Sequence, residues 1–187
     1  MTGDVDADLD LFYRMYTNAW KDNWGFVPPS REELELLFSQ FKRFLQPDFI
    51  FIAEVDGEPA GFIMLLPDLN QAIKYARPHP DTPEILTLLK VFWHWKVRSK
   101  VNRTRVPFLG VIDKYQGLGI DAMLYMAVVE PAVQVGITEG DFGWVLDNNL
   151  AMNQIGNLLG GEMYNRFRIY DKMFAAAAPP AGETAAR

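Results

Sequence analysis

The residues with the clearest chemical potential lie between Thr104 and Asp121, in the stretch TRVPFLGVIDKYQGLGID. An apolar run there ends in Gln116-Gly117-Leu118-Gly119, and a helical pattern follows at once. A strand, a glycine turn and a helix in this order direct backbone N–H groups and the positive end of a helix dipole at an anion. Two glycines spaced two apart also let the backbone approach a bulky phosphate. The stretch predicts a phosphate-binding loop, with an ordinary turn after a buried strand as the alternative.

The segment from Val111 to Ile120, VIDKYQGLGI, resembles the acetyl-CoA loop of the GNAT family of N-acetyltransferases. That family's pattern is Arg or Gln, two residues, Gly, one residue, then Gly or Ala. Gln116 and Gly119 match it, whereas Asp121 stands where Gly or Ala is usual. A carboxylate beside a pyrophosphate is repulsive unless it turns away or caps the helix.

A second motif falls at Asn149, Met152, Gly156 and Gly160, which have the spacing of the family's Asn, Ala, Tyr, Gly pattern. In the family that Asn often contacts the cofactor, and the Tyr often protonates the departing CoA thiolate. Asn149 fits the pattern, but Gly156 occupies the place of the Tyr. The usual general acid is therefore absent from its usual position.

A narrower resemblance extends to a group of uncharacterised bacterial GNAT-like proteins. It rests on four segments, YTNAW (Tyr16–Trp20), NWGFVP (Asn23–Pro28), WVL (Trp144–Leu146) and YNRFRIYDK (Tyr164–Lys172). In many of those proteins the matching segment is the C-terminal half of a longer chain. The sequence is therefore expected to be a shortened relative or a fragment, and the group supplies no substrate.

The resemblance implies direct acyl transfer, with acetyl-CoA as co-substrate and no metal. Backbone N–H groups near Gly110, Val111 and Asp113 would hold the pantetheine and polarise the thioester carbonyl, and amides of Gln116 to Ile120 would take the pyrophosphate. The implied cofactor-binding residues are Gly110, Val111, Asp113, Gln116, Gly117, Leu118, Gly119, Ile120 and Asn149.

The catalytic residues are harder to assign. An amine acceptor is protonated in neutral water and must lose a proton before it attacks, so a base or a water chain is required. The acidic candidates in or beside predicted strands are Glu54, Asp141 and Asp147. Tyr164 and Tyr170 are candidates for the missing acid. For each of the five, a surface or structural role is the alternative.

The acceptor side is expected to be lined by Trp20, Trp24 and Phe26, because the first helices and their connection cover that site in the family. Hydrophobic packing explains the three residues equally well. The abundance of tryptophan and phenylalanine hints at an apolar or aromatic acceptor.

The elements that position these residues follow from the spacing of apolar side chains. Helices are predicted over 9–20, 30–45, 84–96, from 120 to about Pro131, and 150–159, and strands over 49–55, 59–66, 106–112, 142–146 and 163–173. Ser30 with Glu33 forms a capping box, and Asp56-Gly57 is a preferred two-residue hairpin turn. The stripe formed by Ile85, Leu88, Leu89, Phe92 and Trp93 is interpreted as a packed helix face.

Composition narrows the classes of function. The chain has 187 residues, 49% of them hydrophobic, which suits one domain over residues 6–174 and a low-complexity, disordered tail over 175–187. The absence of cysteine excludes disulfides and thiolate sites, and two histidines make a histidine-based metal site improbable. No apolar run is long enough to span a bilayer. A cytoplasmic, metal-free protein without a membrane partner is the expectation.

Charge argues against nucleic acid, since the formal net charge is −6. One basic cluster stands out, with Lys96, Arg98, Lys100, Arg103 and Arg105 just ahead of the central strand. A solvated helix end and loop is one interpretation. The other is that some of these cations help to hold an anionic ligand.

We therefore expect an α+β protein of the GNAT (acyl-CoA N-acyltransferase) fold, with a mixed, mainly antiparallel sheet flanked by helices on both faces. The expected activity is that of an acetyl-CoA-dependent N-acetyltransferase acting on a small amine or amino-acid-like acceptor. The alternatives are a catalytically inert acyl-CoA-binding module and a partner-binding domain that keeps the fold without the cofactor. Members of the family are often dimers, and the sequence leaves homodimer formation open.

Overall fold

The computed structural model describes residues 5–41, 44–170 and 172. In chain order its helices and strands are α1 (Val5–Trp20), α2 (Arg31–Phe41), β1 (Ile50–Val55), β2 (Glu58–Pro67), α3 (Leu69–Ala76), α4 (Glu84–Phe92), β3 (Arg103–Val111), α5 (Ile120–Gln134), β4 (Glu139–Asp141) and α6 (Leu150–Leu158). A π-helical turn, Trp93–Val97, continues α4, and a short 3₁₀ turn, Asp113–Tyr115, follows β3. The predicted tail over 175–187 lies outside the described residues.

The four strands form one sheet in the order β1-β2-β3-β4. The pairs β1–β2 and β2–β3 are antiparallel, and β3–β4 is parallel. This confirms the expected mixed, mainly antiparallel sheet. The hairpin between β1 and β2 is also confirmed, because Asp56 and Gly57 take φ values of 53° and 80°, which a tight two-residue turn requires.

The core lies on both faces of β2, whose residues from Ala60 to Leu65 are all buried. One face packs against α5 through a cluster that includes Phe49, Ile63, Leu124 and Val128. On the other face, Phe62 and Phe108 make edge-to-face contacts with Phe12 of α1. A strand buried on both faces needs apolar residues at successive positions, and this explains why β2 shows no alternation of apolar and polar residues.

Helix α1 approaches β3 closely at Gly110. A Cβ built on Gly110 would lie 2.7 Å from the Cβ of Ala19 and 2.7 Å from a ring carbon of Phe62. Both distances are too short for a real contact, so only glycine fits beneath the helix at this position. The absence of a side chain at Gly110 therefore sets how near α1 lies to the sheet.

The helix starts follow local capping chemistry. The capping box at α2 is confirmed, since the Ser30 N–H donates to Glu33 Oε2 at 2.7 Å and the Glu33 N–H donates to Ser30 Oγ at 3.2 Å. Helix α3 has no counterpart among the predicted elements. It begins where Asp68 accepts the Asn70 N–H at its N-terminus, and it ends before Pro78. The helix is short enough to end before the three prolines of residues 78–83, which argued against a regular element in this region.

Two strand predictions are wrong. Residues 142–146 and 163–170 form no strand, although their β-branched and aromatic residues favour one. The chain leaves the sheet immediately after β4, where Gly143 takes a φ of 72° and donates its N–H to Asp141 Oδ1 at 2.8 Å. A left-handed residue at this point breaks the extended run, so the strand stops at Asp141.

Two helix predictions also need correction. Helix α5 continues through Pro131 to Gln134, although proline has no N–H to donate and usually kinks or ends a helix. Helix α4 begins at the expected residue, but its apolar stripe is exposed to solvent rather than packed.

We expect the substitution Gly110→Ala to lower the free energy of unfolding by about 1–3 kcal/mol, since the new methyl group must displace α1 or Phe62. The matched control is Gly140→Ala in β4, where a Cβ would meet no atom within 4 Å. That variant should stay within about 0.5 kcal/mol of the parent. Urea unfolding of the three proteins measures the difference, and equal stabilities would contradict the close approach.

Candidate functional site

A cleft of about 1230 Å³ opens beside β3, at the point where β3 and β4 diverge. The ladder between these strands covers only three residue pairs, from Arg103 opposite Glu139 to Arg105 opposite Asp141. Beyond it, all residues of β3 from Val106 to Val111 except Phe108 line the cleft, together with the end of α1, the loop after β3, residues 142–146 and the start of α6. The cleft therefore exists because the β3–β4 ladder ends after three residue pairs.

The open edge of β3 presents backbone donors to the cleft. The Ile112 N–H donates to the Ala60 carbonyl at 2.9 Å, while Val111 lies opposite Gly61 and Leu109 opposite Ile63. In an antiparallel ladder this pattern directs the N–H groups of Leu109 and Val111 away from β2, toward the cleft. An N–H in this position can polarise a thioester carbonyl.

Two of the backbone groups expected to bind pantetheine are used elsewhere. Gly110 alternates with Val111 along the ladder, so its N–H points toward Phe62 of β2. The Asp113 N–H donates to Asn18 Oδ1 of α1 at 3.1 Å. Of the three predicted positions, Val111 is the one whose N–H faces the cleft.

The glycine loop has the geometry of an anion site. Gly117 and Gly119 take φ values of 75° and 77°, and a Cβ at either would meet no atom within 4 Å. Among the described residues, none accepts a hydrogen bond from the N–H groups of residues 117–120. These amides lie at the N-terminus of α5, where the helix dipole favours negative charge.

Asp121 lies in the first turn of α5 and lines the cleft. Its Oδ1 accepts the N–H of Ala122 at 2.9 Å. The carboxylate thus lies in the first turn of the helix, where the dipole favours negative charge. It does not cap the helix, since the N-cap residue is Gly119, and it leaves a negative charge beside the glycine loop.

Helix α1 fixes the start of the loop. Lys21 forms an ion pair with Asp113, and this contact raises the pKa of Lys21. Gln116 Nε2 donates to Asp113 Oδ1 at 3.2 Å and to the Val111 carbonyl at 3.4 Å. Sequence reasoning did not assign a role to Asn18 or Lys21, because their partner Asp113 lies more than 90 residues further along the chain.

The expected acceptor-side residues gather on one wall of the cleft. Trp20 Nε1 donates to the Leu109 carbonyl at 3.0 Å, and Phe26 packs against Tyr16 and Trp20 at centroid distances of 5.4 and 6.3 Å. Trp24 lines the same wall and is 66% exposed. Burial raises the pKa of Tyr16, so this tyrosine stays neutral. The wall is therefore largely apolar, and the indole N–H of Trp20 is already hydrogen-bonded.

Most of the proposed catalytic side chains lie away from this wall. Glu54 is exposed on β1, two strands from the cleft, and Asp147 is exposed in the turn before α6. Tyr170 is 83% exposed in the irregular C-terminal segment. None of the three is among the residues that line the cleft.

Asp141 is buried and already paired. Arg105 Nε lies 3.2 Å from Asp141 Oδ2, the Gly143 N–H donates to Oδ1, and the Tyr164 hydroxyl donates to Oδ2 at 3.1 Å. The hydrogen bond to Asp141, and then its negative charge, raise the pKa of Tyr164. A carboxylate with three donors is a structural anchor rather than a free base.

The basic cluster divides into two parts. Arg103 pairs with Glu139 at 2.8 Å, and Arg105 pairs with Asp141, so these two arginines brace the β3–β4 ladder. Lys96, Arg98 and Lys100 are exposed near the end of α4. Only Arg105 of the five lines the cleft.

Asn149 and Asp68 both line the cleft and both cap helices. Asn149 Oδ1 accepts the Met152 N–H at 3.2 Å at the start of α6. Asp68 Oδ1 accepts from the N–H and the side-chain amide of Asn70 at 3.2 and 2.9 Å. Sequence reasoning did not single out Asp68, although Asp ahead of a helical pattern is a recognisable N-cap.

Neither a metal centre nor a membrane span emerges from the part of the chain that the structure describes. No three of its His, Asp or Glu residues gather closely enough to hold a metal ion. Among the described helices, none is both long and apolar enough to cross a bilayer.

Comparison with known proteins gives a family match. The model of the "Acetyltransferase (GNAT) family" matches residues 9–154. Protein YghO of Escherichia coli K12 is 33% identical over 169 residues, which cover 88% of this chain and 42% of that protein. A bacterial ceramide synthase of Caulobacter vibrioides is 30% identical over 173 residues, covering 89% of this chain and 44% of that protein. The chain spans less than half the length of these curated relatives.

A solved structure shows the same fold. Aminoglycoside N-acetyltransferase AAC(6')-Iy in complex with CoA superposes with a TM-score of 0.53 at 16% identity. The match covers 89% of this chain and 90% of that chain. At this identity the similarity establishes the fold and carries no residue roles.

We expect Asp141→Asn to lower the free energy of unfolding by about 1–3 kcal/mol, because a buried acceptor of charge-assisted hydrogen bonds is lost. The pKa of Tyr164 should fall back toward its ordinary value in the same variant. The control is Asp147→Asn in the exposed turn, which should stay within about 0.5 kcal/mol. Urea unfolding distinguishes them. An Asp141 variant with unchanged stability and abolished acyl transfer would instead identify Asp141 as the base.

Proposed function

Because the chain belongs to the acetyltransferase (GNAT) family, we propose that it transfers an acyl group from an acyl-CoA thioester to the amine of an acceptor with an apolar body. The observation that carries the proposal is one cleft with three kinds of wall. The open edge of β3, the glycine loop at the N-terminus of α5 and the aromatic wall of α1 all face it. The first can polarise a carbonyl group, the second can bind an anion, and the third can contact an apolar acceptor.

The acyl-CoA would bind with its pyrophosphate on the amides of residues 117–120 and its pantetheine along β3. The Val111 N–H is the donor that we assign to the thioester carbonyl, with Leu109 one step further along the same edge. The order of the elements supports this orientation of the acyl-CoA. The loop follows β3 directly and α5 follows the loop, so the pantetheine site and the pyrophosphate site are neighbours.

The reaction needs few groups from the protein. The neutral amine attacks the thioester carbon, a C–N bond forms, and the C–S bond breaks with release of the CoA thiolate. The proton lost by the amine is the one that the thiolate finally gains. Asp68 and Asp121 are the carboxylates of the cleft wall among the described residues, and each keeps lone pairs beyond its hydrogen bonds to Asn70 and Ala122. We propose that one of them receives the proton directly or through water.

The nature of the acceptor follows from the aromatic wall. The sequence predicts acetyl-CoA and a small amine or amino-acid-like acceptor. The cleft of about 1230 Å³ has to hold the pantetheine arm as well as the acceptor, and its remaining wall is the aromatic one of Tyr16, Trp20 and Phe26. The Caulobacter relative named as a ceramide synthase supports an amine that carries a hydrocarbon chain, since a ceramide is an amide of a long-chain amino alcohol. We therefore propose an apolar amine and leave the acyl length to experiment.

Binding of CoA is tested at the two ends of α5. Gly119→Ala should weaken acyl-CoA binding about tenfold or more, because a Cβ at this residue blocks approach of the pyrophosphate. Gly136→Ala is the matched control, since Gly136 has a φ of 84° and open space at the opposite end of the helix. Both variants carry the same backbone strain, and only the first should lose affinity in calorimetric titration. Equal affinities would contradict the assigned loop.

Turnover is tested by release of free CoA thiol. Acetyl-CoA and a long-chain acyl-CoA are each combined with ethanolamine and with a long-chain amino alcohol. We expect faster release with the long-chain acceptor. Tight CoA binding without release for any pair would favour the inert acyl-CoA-binding module. No binding of either thioester would favour the partner-binding domain.

A further inference from the structure

Helix α4 has its amphipathic pattern turned outward. Its apolar stripe is formed by five side chains that are between 45% and 63% exposed, namely Ile85, Leu88, Leu89, Phe92 and Trp93. The half-buried side chains Thr87, Val91 and His94 lie on the opposite side, toward the body of the protein. None of the nine residues of α4 is buried. The most apolar side of this helix therefore faces solvent.

Exposed apolar side chains on neighbouring elements add to the stripe. Helix α3 packs against α4 and contributes Ile73 and Tyr75, which are also exposed. Leu86 of α4 and Val97 of the π-helical turn are exposed beside them. We call these nine residues together the α4 face. Such a concentration of exposed large apolar side chains is typical of an interaction surface.

Cations surround the α4 face. Six exposed basic residues lie on the same elements or directly after them, namely Lys74, Arg77, Lys90, Lys96, Arg98 and Lys100. Among the described residues, none forms an ion pair with these six. Lys96 Nζ lies 4.0 Å from the centroid of the Trp95 ring, and Lys100 Nζ lies 5.6 Å from that of Tyr75. The cations thus border the aromatic side chains in a chain whose net charge is −6.

We propose that the α4 face docks on the surface of an anionic lipid bilayer. An interfacial helix has Trp, Phe and Leu on one side and Lys or Arg at its edges, so that the apolar side chains enter the headgroup region while the cations contact anionic lipids. The aliphatic stems of Lys96 and Lys100 can extend along the apolar surface and keep their ammonium groups in water. The α4 face has both parts of this arrangement.

A second copy of the chain fits this surface poorly. A two-fold contact between two α4 faces would bring the same cations of both copies together, and like charges across an interface cost free energy. The negative surface of a bilayer matches the cations without that conflict. Docking of this kind needs no spanning helix, so it is compatible with the finding that none of the described helices could cross a bilayer. The expectation of no membrane partner rested on the lack of a bilayer-spanning apolar run, and such a run is not needed for docking at the surface.

The α4 face also adjoins the cleft. Trp95, in the π-helical turn after α4, contacts Phe44 at a centroid distance of 6.1 Å, and Phe44 lines the cleft. A docked protein would therefore hold the apolar cleft near the source of membrane amphiphiles. The docking itself is independent of acyl transfer and is tested without it.

The test is co-sedimentation of the full 187-residue chain with vesicles. We expect partition onto vesicles of equal parts phosphatidylglycerol and phosphatidylcholine to exceed that onto phosphatidylcholine alone by about tenfold or more, and to fall as salt is added. The triple variant Leu88→Ser, Leu89→Ser and Phe92→Ser should lose about tenfold of the binding. Lys90→Gln with Lys96→Gln should reduce the preference for the anionic vesicles.

The matched control is Met126→Ser, Val129→Ser and Val133→Ser. These side chains of α5 are comparably exposed but belong to a different surface, so the control should bind vesicles as the parent does. Circular dichroism verifies that each variant is folded. Equal partition onto both kinds of vesicle, or unchanged binding by the Leu88 triple variant, would overturn the proposal. So would a concentration-dependent dimer in sedimentation equilibrium that the same triple variant abolishes.

Discussion

The separation of β3 from β4 after three residue pairs is the constraint on which the rest of the structure depends. Arg105 and Asp141 close the ladder with a partly buried ion pair, and the same carboxylate accepts the Gly143 N–H that turns the chain away. An ordinary continuation of the ladder would occupy the N–H groups of Leu109 and Val111. Because the ladder stops, these donors face a cleft instead of a neighbouring strand. A single buried carboxylate therefore both ends a sheet contact and opens a site.

Helix α1 joins the walls of this cleft into one unit. Its C-terminal half contacts the sheet over Gly110, supplies Trp20 to the Leu109 carbonyl and binds the Asp113 N–H through Asn18, and Lys21 directly after the helix pairs with the Asp113 carboxylate. The aromatic wall and the glycine loop are consequently positioned by the same helix. The separation between the aromatic wall and the glycine loop is therefore fixed by packing rather than by a long connection.

Local interactions made much of the fold predictable, and non-local ones did not. The capping box at Ser30, the turn at Asp56-Gly57 and the glycine loop depend on neighbours in the sequence, so their residue types indicate them directly. Residues 142–146 and 163–170 contain strand-forming residues, but a strand needs a partner, and the turn at Gly143 denies it one. The roles of Asp141 and Asp68 were likewise hidden, because their partners lie elsewhere in the fold or serve a helix that was not foreseen. The stripe on α4 was visible in the sequence, yet periodicity cannot tell which side of a helix faces inward.

The brevity of the parallel ladder has a consequence for motion. Only a few backbone hydrogen bonds hold β4 to β3, whereas β2 and α5 share a buried core. Segments held by few bonds open at a lower free energy than the core and exchange their amide hydrogens sooner. We expect residues 139–146 to exchange early and the amides of β2 to exchange last. The cleft would then have a rigid wall at β3 and a wall at residues 139–146 that opens locally. Local opening of that wall would let bulky ligands enter while the rest of the domain stays folded.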